Sequence, residues 1–407
     1  MSDDAYELPL GSGTLSVSLP DCEVDLAVAD GGEAVDPRAA AEAALDDPHG
    51  SPIDEVVDAG DDVALVVTDV TRATPDEALV AAMLDRVPVD RDDVQIVLGL
   101  GLHRPMTDAE VRDGLGEYAD LAVNHDPDAA VEVGEVDGVS VRVNPAVAEA
   151  DAVLATGMVE PHQYAGFSGG AKTVVVGAGA EPLIRYTHGP EMLAERGVRL
   201  GRVDDNPFRE FLDRAGDLAG PDFCVNVTHG PAGILGAAAG DPRAVVRDLS
   251  ETAREALSVA VSGEYDAVLG GVAAPKDANL YQTSRAATYV ILGATNPLRE
   301  GGRVVLPARL SEGAGEGRGE RRFYDRLSGG ATAQAVFDAM REGYEPGAQR
   351  AFVLARALRD HEVWVTNSDH PGVVEDCLMR AADAPEDAIE PGSRVLVVPD
   401  ALSTLLV

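Results

Sequence analysis

The segment 63-VALVVTDVTRATPDEALVAAMLDRVPVDRDDVQIVLGLG-101 decides the fold. Its two ends, 63–69 and 94–101, are continuous Val-rich runs, typical of strands that are buried on both faces of a parallel sheet. Between them, 75–87 has helical spacing of its apolar residues, and Thr74 is the predicted N-cap ahead of acidic residues. A strand, a helix and a second strand in this order indicate a βαβ unit.

The same alternation continues along the chain. A second helix is predicted over 107–116 with Thr107 as its cap. Further Val-rich runs predict strands at 152–157, 267–271, 302–307 and 361–367. We therefore expect an α/β fold of two α/β domains with largely parallel sheets and an active site in the cleft between them.

The length of 407 residues also favours two domains. A long helix predicted over 249–261 precedes a fresh strand-turn pattern. We therefore predict an N-terminal cofactor-binding domain over 1–262 and a C-terminal domain over 263–390. The tail, 391–407, is assigned to the N-terminal domain as one option, and the Gly- and Glu-rich segment 311–320 is a predicted surface loop.

Charge excludes several function classes. The chain has 71 Asp and Glu against 32 Lys and Arg, a formal net charge of −39. Such a surface repels nucleic acid and anionic membranes, so neither is an expected partner. Asp and Glu residues are spread along the whole chain, which favours a halophilic protein. The alternative is an ordinary acidic protein. No signal peptide and no apolar run of membrane-spanning length is found, which predicts a cytoplasmic protein.

Three cysteines, Cys22, Cys224 and Cys377, are far apart and show no CxxC spacing. They predict neither a zinc site nor a disulfide framework.

Two loops that follow predicted strands have residues suited to binding or catalysis. In 69-DVTRATPDE-77, Thr71 and Arg72 add a hydroxyl and a guanidinium to a helix start, where a phosphate or carboxylate could bind. An ordinary helix cap with a surface arginine is the alternative. In 99-GLGLHRPMT-107, His103 precedes a helix; the loop lacks the GxGxxG pattern, and a lone histidine is more often unremarkable than catalytic.

The strongest signal is 157-GMVEPHQYAGFSGGAKTVVVGAGA-180. Here His162, a Ser-Gly-Gly turn and Lys172 lie within eleven residues. Gly169 and Gly170 let the backbone approach a ligand closely, and successive N–H groups in such a turn bind anions. The segment misses the P-loop pattern, because Ala171 stands where that motif needs glycine. Hydrolysis of a nucleoside triphosphate is therefore disfavoured.

A further histidine, His188, lies in 183-LIRYTHGPEML-193 before a Gly-Pro break. A neutral imidazole suits nickel as well as zinc or copper. One histidine does not define a metal site, and no HExxH-type cluster supplies the other ligands.

Taken together, these motifs resemble the lactate racemase family over roughly residues 8–400. The resemblance implies a nickel-pincer nucleotide, in which a pyridinium nucleotide gives nickel two sulfurs and one carbon. By resemblance, Lys172 is the covalent attachment point and His188 the nickel ligand, while His103 and His162 are the catalytic pair. The further cofactor contacts implied are Asp69, Thr71, Arg72, Gly169, Gly170 and, from 275-PKDANLYQTSRA-286, Tyr281 and Gln282.

The sequence departs from the family pattern at two places. The active-site lysine expected three residues after Gln282 is Arg285 here, and arginine offers a bidentate fork to a carboxylate. The family's tryptophan in the helix corresponding to 346–358 has no counterpart, and Trp364 is a predicted core residue of the next strand. Arg72 and Arg285 are therefore the predicted substrate clamp, and the departures leave the identity of the 2-hydroxy acid open.

The resemblance implies racemisation or epimerisation of a small 2-hydroxy acid, lactate by default, by proton-coupled hydride transfer to the nucleotide. Two histidines would serve as bases, one for each enantiomer. The implied partners are this substrate and the proteins that synthesise the cofactor. Two alternatives remain open: a nicotinamide-dependent oxidoreductase that uses 99–105, and a non-catalytic nucleotide-binding protein.

Overall fold

The computed structural model describes residues 5–407. The strands in chain order are β1 Ala5–Leu10, β2 Gly13–Ser18, β3 Glu23–Leu26, β4 Val63–Thr68, β5 Val94–Gly99, β6 Ala122–Asn124, β7 Val131–Val136, β8 Val139–Val143, β9 Ala152–Met158, β10 Pro161–His162, β11 Gly166–Phe167, β12 Phe223–Gly230, β13 Gly233–Gly240, β14 Ser258–Val259, β15 Tyr265–Gly270, β16 Leu298–Pro307, β17 Glu362–Thr366, β18 Arg380–Ala382, β19 Arg394–Val398 and β20 Leu405–Leu406.

The α-helices are α1 Pro37–Asp46, α2 Ile53–Val56, α3 Asp76–Leu84, α4 Asp108–Leu115, α5 Pro145–Glu149, α6 Glu181–Thr187, α7 Pro190–Ala194, α8 Pro207–Ala219, α9 Pro242–Leu257, α10 Leu280–Ile291, α11 Arg318–Ser328, α12 Ala333–Glu342, α13 Gln349–Leu358, α14 Pro371–Asp376 and α15 Pro385–Ala388. Two 3₁₀ segments, Arg91–Asp93 and Gly116–Leu121, and one π-helical turn, Thr173–Gly177, complete the helical structure of this part of the chain.

The first unit comprises Gly31–His188 and Glu195–Ala256. Its six-stranded sheet has the order β13-β12-β9-β4-β5-β6, in which every pairing is parallel except that of β12 with β13. Five of the six residues of β4 are buried, as the continuous apolar run predicts. One core cluster joins Leu65, Ile96 and Leu154 of this sheet to Leu79 and Met83 of α3.

The second unit comprises residues 5–30, Gly189–Ala194 and Leu257–Val407. Its six-stranded sheet is wholly parallel, with the order β18-β17-β16-β15-β19-β3. The predicted fold class, α/β with largely parallel sheets, is therefore confirmed.

The unit boundaries differ from the predicted ones at both chain ends. The tail does not return to the N-terminal domain, because β19 pairs with β15 in the second sheet. The N-terminal segment also joins this unit: β3 pairs with β19, and Leu8 and Val17 pack in the same core as Leu269. Burial of the apolar run in β19 and of the β1–β2 hairpin accounts for both differences.

Local predictions were accurate for strands and mixed for helix ends. Thr107 caps α4 with a reciprocal bond to Glu110, as predicted. Thr74 does not cap α3, since Pro75 occupies the cap position. The helix predicted over 249–261 begins earlier and ends at Leu257. Among the described residues, none of the helices combines the length and the apolar character needed to cross a membrane.

Candidate active site

Asp69 is a buried carboxylate at the end of β4. Its Oδ1 accepts hydrogen bonds from the Thr71 backbone N–H at 3.1 Å and the Thr71 hydroxyl at 2.5 Å. Its Oδ2 lies 2.6 Å from Nδ1 of His103. Burial alone would raise the pKa of Asp69, but the bonds and charge of His103 and the Thr71 bonds outweigh it and lower this pKa. Asp69 is therefore an ionised anchor for His103.

His103 lies in the loop after β5, and its side chain is 60% exposed. Because Asp69 is ionised, Nδ1 of His103 donates to it, which places the lone pair of the neutral ring on Nε2. An exposed Nε2 lone pair on a ring held by a carboxylate is the arrangement of a general base.

The loop of His103 is joined to the turn that follows Lys172. The Gly101 N–H donates to the Gly177 carbonyl at 2.8 Å. A Cβ added at Gly177 would lie 3.1 Å from Cα of Gly99, so both glycines are needed for this close approach. The contact brings two separately predicted motifs to one edge of the first sheet.

Arg72 forms a close ion pair with Glu160. Both side chains are largely buried, with exposures of 21% and 14%. The pair links the loop after β4 to the loop after β9. The sequence analysis predicted Arg72 as an anion clamp but missed Glu160, whose only signal was its position two residues before His162.

His162 lies on the small hairpin of β10 and β11 and is 9% exposed. Its Nδ1 accepts backbone N–H groups from Tyr164 at 3.3 Å and Ala165 at 3.1 Å. In the neutral ring the proton is therefore on Nε2. In the neutral rings, Nε2 of His162 is therefore an N–H donor, whereas Nε2 of His103 has a lone pair.

The Ser-Gly-Gly turn is held from several sides. The Ser168 hydroxyl donates to the Met158 carbonyl at 2.5 Å, and the Gly170 N–H donates to Oδ1 of Asn226 at 2.8 Å. Gly169 and Gly170 both have positive φ, 79° and 59°, which favours glycine. At Gly169 a Cβ would also lie 2.6 Å from Oδ1 of Asn226. These two glycines are thus required by backbone geometry.

Arg209 of α8 holds the carbonyl side of the same turn. The residue is 3% exposed. Its Nη1 donates to the Gly169 carbonyl at 3.2 Å, and its Nη2 donates to the carbonyls of Phe167 and Ser168. The sequence analysis missed this arginine, because helical spacing alone does not distinguish a buried arginine from a surface one.

Lys172 immediately precedes the π-helical turn Thr173–Gly177. Single π-helical turns are rare and occur often at functional sites. Lys172 is half-buried, while the neighbouring Ala171 and Thr173 are buried. Lys172 is therefore more accessible than the residues on either side of it.

His188 is the C-cap residue of α6 and is 8% exposed. The Thr187 hydroxyl donates to the Leu183 carbonyl at 2.8 Å, so its oxygen accepts from Nδ1 of His188 at 2.9 Å. The lone pair of the neutral ring is then on Nε2, as a metal ligand requires. Thr187 was not singled out in the sequence.

An aromatic cluster brings His162 and His188 together. The ring of Tyr164 makes edge contacts with both, at centroid distances of 5.6 Å and 5.5 Å. Phe208 packs against the same two histidines at 6.3 Å and 5.2 Å. Since Phe208 and Arg209 are adjacent on α8, one helix supports both the histidines and the glycine turn.

A second buried acid is Asp76, the first residue of α3. Its oxygens accept the hydroxyls of Thr68 at 2.9 Å and Thr156 at 2.5 Å. Burial raises the pKa of Asp76 to about 7 against the lowering effect of these hydrogen bonds. Asp76 is therefore partly protonated near neutral pH. Nothing in the sequence pattern singled out this residue.

The NLYQTSR residues lie on a different unit from those above. Tyr281, Gln282 and Arg285 are in the first two turns of α10, which Asn279 caps by accepting the Gln282 N–H at 3.0 Å. Nη2 of Arg285 donates to the Tyr289 hydroxyl at 2.9 Å. The predicted cofactor and substrate contacts of these three residues stay predictions.

Trp364, predicted as a core residue, packs against the core cluster of the second unit. It is half-buried on β17, with its Nε1 donating to Glu362 at 3.0 Å. The guanidinium groups of Arg303 and Arg380 each lie 5.6 Å from its ring. The ring therefore makes cation–π contacts with both arginines.

Comparison with known proteins adds family information to this geometry. The model for the lactate racemase N-terminal domain matches residues 10–201. The lactate racemase of Lactiplantibacillus plantarum is 28% identical over 395 residues, covering 90% of each chain. That of Thermoanaerobacterium thermosaccharolyticum is 24% identical over 425 residues, covering 98% of each. The chain is thus similar to lactate racemases along almost its whole length.

Solved structures support the same fold. The lactate racemase apoprotein of T. thermosaccharolyticum matches with a TM-score of 0.87 and 24% identity, covering 99% of this chain and 100% of that one. A protein from Thermotoga maritima matches with a TM-score of 0.64 and 14% identity, covering 91% and 97%.

Proposed function

We propose that this chain is an isomerase that racemises a small 2-hydroxy acid, with lactate the first candidate. The match of residues 10–201 to the lactate racemase N-terminal domain and the similarity to two relatives named lactate racemase support the reaction class. The observation that carries the catalytic assignment is the Asp69–His103 pair, which provides an oriented base at 2.6 Å from its anchor. We further propose a nickel-pincer nucleotide as the cofactor, made by separate biosynthetic proteins.

The chemistry of the donor set fits this cofactor. His188 has the tautomer that a metal ligand needs, set by Thr187. Across residues 5–407, no group of three or more His, Cys, Asp or Glu side chains is arranged to hold a metal ion. A nickel ion at His188 would therefore take its other ligands from the cofactor, as a pincer provides.

The glycine turn also has an unsatisfied polar group that a nucleotide could contact. Nδ2 of Asn226 is buried without a hydrogen-bond partner. A Cβ at Gly157 would lie 3.1 Å from this amide and 3.1 Å from the Thr173 hydroxyl. A buried amide donor without a partner costs about 1–3 kcal/mol, which an added acceptor would recover. Lys172 would hold the group covalently, and Gly169 and Gly170 would contact it through the main chain.

When bound, this cofactor supplies the electrophile that takes up and returns the C2 hydrogen as hydride. The protein must remove the hydroxyl proton in step with this transfer. Nε2 of His103 is suited to accept that proton, and Asp69 stabilises the imidazolium that results. Returning the proton from the same nitrogen restores the resting state.

The two histidines are not equivalent bases in this proposal. The prediction from sequence gave each enantiomer its own histidine base. Nδ1 of His162 accepts two backbone N–H groups, so the neutral ring keeps its proton on Nε2. His162 therefore begins as a donor to the substrate oxygen, and it accepts a proton only after this arrangement changes.

Two arginines remain proposed contacts for the substrate carboxylate. Glu160 orients Arg72 through their ion pair, and Tyr289 orients Arg285. Charge-assisted bonds of this kind contribute about 1.5–3 kcal/mol each.

The test is chiral analysis of lactate incubated with protein made alongside the cofactor pathway. We expect L-lactate to approach a racemic mixture, and we expect His103→Gln to slow this while His49→Gln, at an exposed histidine, does not. Net oxidation with NAD reduction would favour an oxidoreductase. Cofactor binding without turnover of any 2-hydroxy acid would favour a non-catalytic protein.

We also propose that the protein works in high salt. The support is the net charge of −39, since molar salt shortens the Debye length to about 3 Å and screens this self-repulsion. The assay above is therefore run across a potassium chloride series, and activity that is highest without salt would contradict this proposal.

A further inference from the structure

Arg350 is a buried cation for which the described residues provide no anion. It lies in the first turn of α13 and is 8% exposed. Its Nε and Nη1 are buried without hydrogen-bond partners, and within residues 5–407 it forms no ion pair with a carboxylate. Buried donors without partners are unfavourable, and more so when the group is charged.

The guanidinium has one stabilising contact, with an aromatic ring. Its Cζ lies 4.5 Å from the ring centroid of Tyr281. Tyr281 is itself fixed by an edge contact with Phe323, at a centroid distance of 5.5 Å and an interplanar angle of 88°. A cation–π contact stabilises the charge but does not replace the missing hydrogen bonds. The ring of Tyr281 thus holds the Arg350 guanidinium in place, while its Nε and Nη1 donors have no hydrogen-bond acceptor.

A second guanidinium lies on the same helical face as Tyr281. Arg285 follows Tyr281 by four residues on α10, a spacing that puts both side chains on one side of the helix. Its Nη1 lies 3.4 Å from Oε1 of Gln282, and its Nη2 donates to Tyr289. These two contacts orient the group.

We propose that Arg350, seated on Tyr281, acts with Arg285 to bind a carboxylate group of the substrate. Planar guanidinium forks match a carboxylate in geometry as well as charge, and an ammonium group does not. The inference rests on the proposed racemase function and extends it, because Arg350 was not among the predicted substrate contacts. The carboxylate is either the one next to C2 or a second one on a dicarboxylic 2-hydroxy acid.

The test begins with binding, which needs no turnover. Calorimetry of the full-length protein made without the cofactor pathway would compare lactate with malate at constant ionic strength. We expect Arg350→Met to weaken carboxylate binding about 10- to 100-fold and Arg350→Lys to recover part of it. Arg359→Met is the matched control, because Arg359 also lies over a ring, that of Phe337, but is exposed.

The pattern of losses identifies the carboxylate. If Arg350→Met weakens lactate and malate equally, the arginines bind the carboxylate next to C2. If it abolishes a preference for malate, they bind the second carboxylate. Unchanged binding in Arg350→Met, equal losses in Arg359→Met, or no binding of either acid by the parent protein would overturn the proposal.

Kinetics of the cofactor-loaded enzyme separate this inference from the proposed function. We expect Arg350→Met to raise KM by a similar factor with kcat little changed. If the loaded parent protein racemises no 2-hydroxy acid while carboxylate binding still depends on Arg350, the proposed function fails and the carboxylate site stands. If the loaded protein racemises a 2-hydroxy acid but its KM is the same in Arg350→Met, the proposed function stands and the carboxylate site fails.

Discussion

Nδ1 of His103 lies 2.6 Å from Oδ2 of Asp69, joining the ends of two neighbouring parallel strands. The carboxylate is buried and the imidazole is exposed, so the acid fixes the tautomer and the ring offers Nε2 to the surroundings. The resemblance to the family predicted Asp69 as a cofactor contact; the observed partner gives it a positioning role.

Replacing Asp69 by Asn tests this role. The amide removes the negative charge, so the preferred proton of His103 is no longer fixed on Nδ1. We expect kcat for racemisation to fall about 10²- to 10⁴-fold with cofactor loading unchanged. Asp126→Asn, at an exposed aspartate after β6, is the control. A variant with normal kcat and a normal pH profile would rule out the role.

Replacing Thr187 by Val tests the tautomer of His188. The isosteric side chain cannot accept from Nδ1, so the lone pair on Nε2 is no longer enforced. We expect nickel affinity to fall about 10- to 100-fold, measured as metal content after dialysis against a chelator. Thr366→Val, at a threonine that is equally buried, should retain its nickel. Identical nickel retention in both variants would count against His188 as the ligand.

Replacing Arg209 by Met tests the support of the glycine turn. Three carbonyls lose their donors, and the partly buried Asp213, 4.0 Å from Arg209, loses a cation. We expect a loss of about 2–4 kcal/mol in the free energy of unfolding, together with poor modification of Lys172. Arg214→Met is the control, since Arg214 lies on the same helix but is 51% exposed. Full loading of Arg209→Met would show that the turn does not need it.

Asp76 makes stability depend on pH. Its pKa is about 7 in the folded chain and about 3.9 in the unfolded chain. Because the folded value is raised, its stabilising proton is fully present below about pH 4 and is lost as pH rises through about 7. Relative to Asp76→Asn, the parent should lose up to about 4 kcal/mol over this range. Denaturant titrations at several pH values measure it.

The control for this titration is Asp108→Asn. Asp108 occupies the first position of α4, as Asp76 does in α3, but it is exposed. Its substitution should leave the pH dependence unchanged. Parallel pH profiles for the parent and Asp76→Asn would mean that the buried carboxylate does not titrate in this range.

The fold class followed from local pattern because its strands are apolar on both faces. The runs at β4, β5 and β9 were each predicted within one or two residues. The assignment of both chain ends failed, since strand pairing between β3 and β19 depends on contacts more than 360 residues apart. Local propensity does not report such pairing.

The residues of the candidate site also fall into two groups, those recognisable in sequence and those that only the folded chain identifies. Residues in short motifs, such as Lys172 and His162, were singled out from sequence because their neighbours are unusual, and their roles stay predictions. Glu160, Arg209 and Thr187 were missed, because each acts through a partner that only the folded chain identifies. Arg350 was missed for the same reason, since its contact with Tyr281 joins two helices.

Lys172 is the proposed attachment point of a nickel-containing nucleotide, on which the proposed function depends most. Intact mass spectrometry of protein made with the cofactor pathway tests this most directly, with nickel measured on the same sample. We predict a mass above that of the polypeptide, nickel near one per chain, and loss of the added mass in Lys172→Ala. An unmodified mass without nickel under those conditions would contradict the account.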